Sequence, residues 1–125
     1  RQKIPVITMG GAGGQVDPTQ ITVGDLAKTI QDPLAAKLRS FLRRFHNFSQ
    51  NPKRRFGVEC AYSTEQLRYP DANGDVSYQK QMTGGVKLDC SGGFGATVTV
   101  TATFGLIAAS RVINKLLEKH FPTIK

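Results

Sequence analysis

The chain has 125 residues, with 17 lysines and arginines against 9 acids and a formal charge of +8. Hydrophobic residues at 39% and charged ones at 21% suit one folded domain over 1–125, and exclude wholesale disorder or a second domain. Two cysteines are too few for a disulfide-stapled scaffold, and the excess of positive charge favours a polyanionic partner.

No basic-then-apolar leader opens the chain, so no signal peptide is read. Its start on Arg1 is expected of a processed or truncated product. Ile4 to Met9 is apolar and β-branched and ends in glycines, as expected of a parallel strand buried on both faces. The cluster Gly10 to Gly14 fails as a phosphate loop: Val16 stands where the third glycine belongs, and no helix follows at once. A flexible loop is expected there, then a turn at Asp17-Pro18 and a strand through Ile21-Thr22-Val23.

Asp32 and Pro33 form a helix start, one accepting from free N–H groups and the other preset for the first helical position. The predicted helix runs over 33–46. Leu34, Leu38, Phe41, Leu42 and Phe45 recur on one face, expected to be core, and Asn47 to Pro52 ends the helix. Lys37, Arg39, Arg43, Arg44, Lys53, Arg54 and Arg55 fall in a stretch without an acid, with Phe41, Phe45, His46, Phe48 and Phe56 among them. This is either a solvated face with a basic loop or a surface that tracks a phosphate backbone.

A strand is predicted from Phe56 to Ser63, with Val58, Cys60 and Tyr62 on one face and Cys60 buried. Residues 69–81 are polar, and Asn73-Gly74 marks an exposed hairpin in which both turn positions need positive φ. Thr97 to Phe104 alternates like a strand, whereas from Leu106 the period is helical, with Leu106, Ala109, Ile113, Leu116 and Leu117 on one face. Ser91 to Ser110 carries no charge, but its threonines and glycines favour a buried amphipathic helix, and no membrane span is expected. His46 and His120 have no metal-ligand spacing, and Asp17, Asp25 and Asp32 read as turn and cap residues.

Two long stretches resemble the bacterial tRNA threonylcarbamoyladenosine dehydratases: Gly10-Gly-Ala-Gly-Gly-Gln-Val-Asp-Pro-Thr-Gln20 and Asp25-Leu-Ala-Lys-Thr-Ile-Gln-Asp-Pro-Leu-Ala-Ala-Lys-Leu-Arg39. So do Leu88-Asp-Cys-Ser-Gly-Gly-Phe-Gly-Ala96 and Val100-Thr-Ala-Thr-Phe-Gly105. The family is a branch of the ubiquitin-activating-like (ThiF/MoeB/HesA) superfamily. The resemblance implies an α/β chain, the carboxy-terminal half of a Rossmann-like fold whose mixed sheet is packed by helices near 33–46 and 97–119. The threonine-rich run would then open a long helix, and the uncharged stretch would be core.

It also implies that the nucleotide-binding half lies elsewhere. ATP and magnesium would serve the full-length enzyme, with no cofactor or metal held by this chain alone. Activation of a threonylcarbamoyl carboxylate by ATP would precede its cyclisation next to the anticodon. This half would supply scaffold, a homodimer surface and tRNA contacts in the cytoplasm, and would be inactive alone. Cys90 is the candidate catalytic residue: related activating enzymes load a cysteine with an acyl group or sulfur, and glycines beside a helix start favour a thiolate. The plain alternative is a small residue packed in a turn. Two other readings stand: a free-standing basic RNA-binding module, and a sulfur-relay module in which Cys90 takes sulfur from a cysteine desulfurase.

Overall fold

The structure, a computed structural model, describes residues 3–71, 73–79 and 95–123. Three strands form the main sheet: β1 (Ile7–Met9), β2 (Ile21–Asp25) and β3 (Glu59–Ser63). Their order is β1-β3-β2, with β1 parallel and β2 antiparallel to the central β3, so the sheet is mixed as expected. Between β2 and β3 runs α1 (Pro33–Phe45). The short strands β4 (Tyr69–Pro70) and β5 (Val76–Ser77) pair as a hairpin, and α2 (Val98–His120) closes the fold.

Acidic side chains start the helical pieces before α2, because each accepts from an N–H group that the helix leaves unpaired, whereas α2 starts at Thr97 without a side-chain cap bond. Asp17 accepts from Thr19 N–H ahead of a turn at Pro18–Gln20, and Asp25 from Ala27 N–H ahead of another at Leu26–Lys28. Asp32 caps α1 through Ala35 N–H at 2.9 Å and receives Gly11 N–H, also at 2.9 Å, with its second oxygen. The carboxylate presses on the glycine loop so closely that a Cβ on Gly10 would lie 2.0 Å from Asp32 Oδ2. Gly10 therefore serves close approach, and no phosphate loop forms. Asn47, with φ of 55°, ends α1 by turning the chain into the left-handed region that Asn tolerates.

The core lies on the two faces of β3. Cys60 packs with Leu26 and Ala35, supported by Leu42, Phe56, Val58 and Tyr62, so the predicted Val58–Cys60–Tyr62 face is the one turned toward α1. On the other face Ala61 meets Val100 and Phe104 of α2, with Ala12, Ile21, Val23 and Ile107 around them. Cys60 is a free, fully buried thiol. Burial, with the nearby Asp32 charge, pushes it up to about 11 against the opposing pull of Arg39, so it stays protonated and inert at neutral pH.

Several expectations need correction. β1 is not buried on both faces: it is an edge strand of this sheet, and Ile4, Val6 and Met9 are exposed. Four of the five residues of the predicted core face of α1 point outward, with Phe41 51% and Phe45 61% exposed beside Leu34 and Leu38. The helix docks through Ala35 and through Leu42, the one member of the predicted face packed against the core.

Residues Val98 to Phe104 are helical, as the resemblance implied and against the alternating pattern. Threonine hydroxyls satisfy carbonyls four residues back, Thr101 to Thr97 at 3.2 Å and Thr103 to Thr99 at 2.6 Å, while Val100 and Phe104 dock four apart. Nor is the uncharged stretch core throughout. Among its described residues only Val100 and Phe104 are buried, and Leu106 is 71% exposed in line with Ile113, Leu116 and Leu117. By length and composition α2 could span a bilayer, with a mean hydropathy of 1.2. Here it is tied to the sheet, since Arg111 and Lys115 both pair with Glu59 of β3. The Asn73-Gly74 hairpin forms as expected, but only Gly74 takes positive φ among its described residues, and Asp71 receives the N–H groups of Asn73 and Asp75.

Candidate nucleic-acid interface

The seven basic residues read from the sequence divide into two sets. Arg39 donates to Thr29 Oγ1 across the helix–turn junction. Arg43 reaches Ser49 O at 3.1 Å through Nε and lies over the Phe56 ring at 5.1 Å. Each guanidinium thus gives one of its five N–H groups to folding the segment, and both residues are half-buried. Phe48 packs edge-on against Phe56 at 4.8 Å, and Gln50 donates to Arg43 O, so these aromatic groups shape the loop rather than offer stacking platforms.

Lys37, Arg44, Lys53, Arg54 and Arg55 are exposed and have no ion pair among the described residues. Arg44 rests over Phe45 at 5.2 Å, and Phe41 stacks near both Phe45 and His46. The exposed cations thus lie along one side of α1 and at the tip of the loop that follows it. Asn51 shapes that tip, receiving Lys53 N–H on its side chain and Arg54 N–H on its carbonyl.

Sequence reasoning missed a second basic element. Beside the loop opens a groove of about 650 Å³, half polar and half apolar, lined by Lys28, Arg55 and Arg111 together with Asp25 and Glu59 and, between them, Val23, Gly24 and Gly57. Lys28 pins the loop by donating to Pro52 O at 2.6 Å. Asp25 receives Phe56 N–H at 2.9 Å and Gly57 N–H at 2.8 Å besides capping its own turn. Burial works to raise the Asp25 carboxyl, but the N–H groups of Phe56, Ala27, Gly57 and Val58 outweigh it and hold it below its ordinary value.

Glu59 is held low by Arg111, at 2.6 Å, and then by Lys115, at 3.0 Å. The stability these carboxylates add is complete above the unfolded carboxylate range and is lost as pH falls through their lowered values. Only the pairing of positions 52 residues apart in sequence creates this cluster, so no local signal could have shown it.

Among the described residues no three His, Cys, Asp or Glu side chains converge as a metal-ligand set. Two of the described acids are committed to backbone groups. Glu65, buried, receives Val16 and Asp17 N–H, and Asp32 receives Gly11 and Ala35 N–H. They do not fit the carboxylate set that would hold magnesium beside a triphosphate. Cys90, the candidate catalytic residue, lies outside the described residues.

No family model matches the chain. A tRNA threonylcarbamoyladenosine dehydratase of Haemophilus influenzae is 56% identical to it over 119 residues, covering 95% of this chain and 43% of that relative. A solved structure described as TcdA (CsdL) is 51% identical with a TM-score of 0.77, over 94% of this chain and 42% of the other. The Escherichia coli tRNA N6-threonylcarbamoyladenosine dehydratase solved with ATP is 48% identical with a TM-score of 0.72, over 94% of this chain and 40% of the other. The chain is thus homologous to the tRNA threonylcarbamoyladenosine dehydratases over nearly all its length, shares their α/β fold, and spans under half of theirs.

Proposed function

We propose that this chain is the carboxy-terminal half of an ATP-dependent enzyme that dehydrates threonylcarbamoyladenosine in tRNA, and that it supplies scaffold and RNA contacts. The observation that carries the reading is the match to the dehydratases over 95% of the chain at 56% identity. In the proposed reaction the threonylcarbamoyl carboxylate attacks the α-phosphate of ATP and releases pyrophosphate. The acyl adenylate then has AMP as its leaving group, and an internal nucleophile closes the ring as AMP departs. The residues that grip ATP and magnesium belong to the remainder of the enzyme, as the resemblance implies.

The exposed set Lys37, Arg44, Lys53, Arg54 and Arg55 meets the tRNA backbone. Arg39 and Arg43 act by holding that surface in shape. The outward apolar faces of α1 and α2 and the open edge of β1 are covered by the rest of the enzyme and by a second subunit. The setting is the cytoplasm, where tRNA is modified and both thiols stay reduced. Cys90 is the candidate for a two-step variant of this closure, in which its thiolate displaces AMP to form a thioester and the internal nucleophile then displaces the thiolate; in a sulfur relay it would instead accept sulfur from a cysteine desulfurase.

Incubating the intact enzyme with ATP and tRNA bearing threonylcarbamoyladenosine tests this. Nucleoside mass analysis is expected to show loss of one water with AMP formed, and Cys90→Ser abolishes it only if the thiol is covalently involved. A bound but unchanged nucleoside contradicts the function. Full activity in the serine variant reduces Cys90 to packing.

A further inference from the structure

The 650 Å³ groove brings together cations from three separate parts of the chain: Lys28 from the turn after β2, Arg55 from the basic loop, and Arg111 from α2. Its two carboxylates do not oppose an anion as free charges would. Asp25 turns both oxygens toward backbone N–H groups, and Glu59 is shared between Arg111 and Lys115, two cations to one acid. Gly57 keeps the wall low: with φ of +75° it has no neighbour within 4 Å of where a Cβ would stand. The size falls within the range of about 300–1,000 Å³ typical of ligand sites, wider than a lone phosphate needs. Arg55 joins the groove to the exposed cations of the loop, Lys53 and Arg54, so one continuous basic path enters it.

We propose that this groove is a docking site for the phosphodiester backbone of the RNA substrate. Arg55 and Lys28 contact phosphate oxygens, and the Arg111–Glu59–Lys115 cluster forms the far wall. The inference rests on the tRNA reading above and extends the RNA surface from the α1 side of the sheet to α2. Glu59 limits affinity, because it occupies two cations that would otherwise face the phosphates.

The test is binding of a labelled tRNA transcript to the intact enzyme by fluorescence anisotropy across a salt series, with ATP binding measured in parallel. A Lys28→Gln, Arg55→Gln double variant is expected to weaken tRNA on the order of tenfold and to lower the log–log salt slope by about 1.4–1.8, leaving ATP affinity unchanged. Glu59→Gln is expected to tighten tRNA binding and steepen the slope, whereas a merely structural role would weaken it.

Wild-type slope and affinity in the double variant, with loss in a Lys37→Gln, Arg44→Gln control, overturn the groove but leave the RNA reading standing. Absence of salt-dependent tRNA binding in the wild-type enzyme overturns both. Loss of ATP affinity in the double variant also overturns the proposal, assigning the groove to the nucleotide's phosphates.

Discussion

Truncating Phe104 to alanine is expected to lower stability by about 3–5 kcal/mol, read as a shift in the denaturant midpoint at unchanged slope. Phe104 is 3% exposed and fills the space between α2 and the β3 face around Ala61, and few other side chains share that task. Val100, the other buried residue of α2, is smaller and cannot close the gap. The phenylalanine at 45 has the same side chain and the opposite expectation. At 61% exposure its truncation costs under about 0.5 kcal/mol where the face is open. A larger loss in the intact enzyme would measure how firmly that face is covered.

Asp32→Ala is expected to cost about 2–4 kcal/mol, the loss of a helix cap together with a partly buried N–H group of the glycine loop left without its partner. The two carboxylate oxygens serve different segments, Ala35 on α1 and Gly11 on the loop after β1, so the residue fastens the helix to the sheet edge. Asp32→Asn separates the two roles. Its carbonyl oxygen can keep the cap, but its amide would point a donor at Gly11 N–H, so about half of the loss should remain. Equal stability of the asparagine variant and the wild type, by the same denaturant measurement, would contradict this assignment.

These two sites show what a sequence makes legible. The Asp32-Pro33 start, the Asp17 and Asp25 turns, and the buried Cys60 face depend on neighbours a few residues away, and all were readable. The buried sides of the helices were not. The apolar period of α1 and α2 identifies a face that avoids water, without saying whether the sheet or another polypeptide covers it. In this chain the sheet takes Ala35, Leu42, Val100 and Phe104, and the Leu/Phe/Ile stripes face away.

The alternating threonines left strand and helix open on pattern alone for a related reason. Period two signals a strand only where side chains pack on a sheet, and threonine can instead bond its own helix. Of the basic surface, the sequence revealed the stretch from Lys37 to Arg55 but not its division into structural and exposed cations. The groove depends on Arg111 meeting Glu59 across the fold.

Photo-crosslinking of the intact enzyme, with mapped peptides, tests the division of labour most directly. Thiouridine-substituted tRNA should label peptides that hold Lys28, Lys37, Arg44 and Lys53–Arg55, while an azido-ATP probe should label only polypeptide outside these 125 residues. Nucleotide label within this segment, with tRNA label confined elsewhere, would contradict the account.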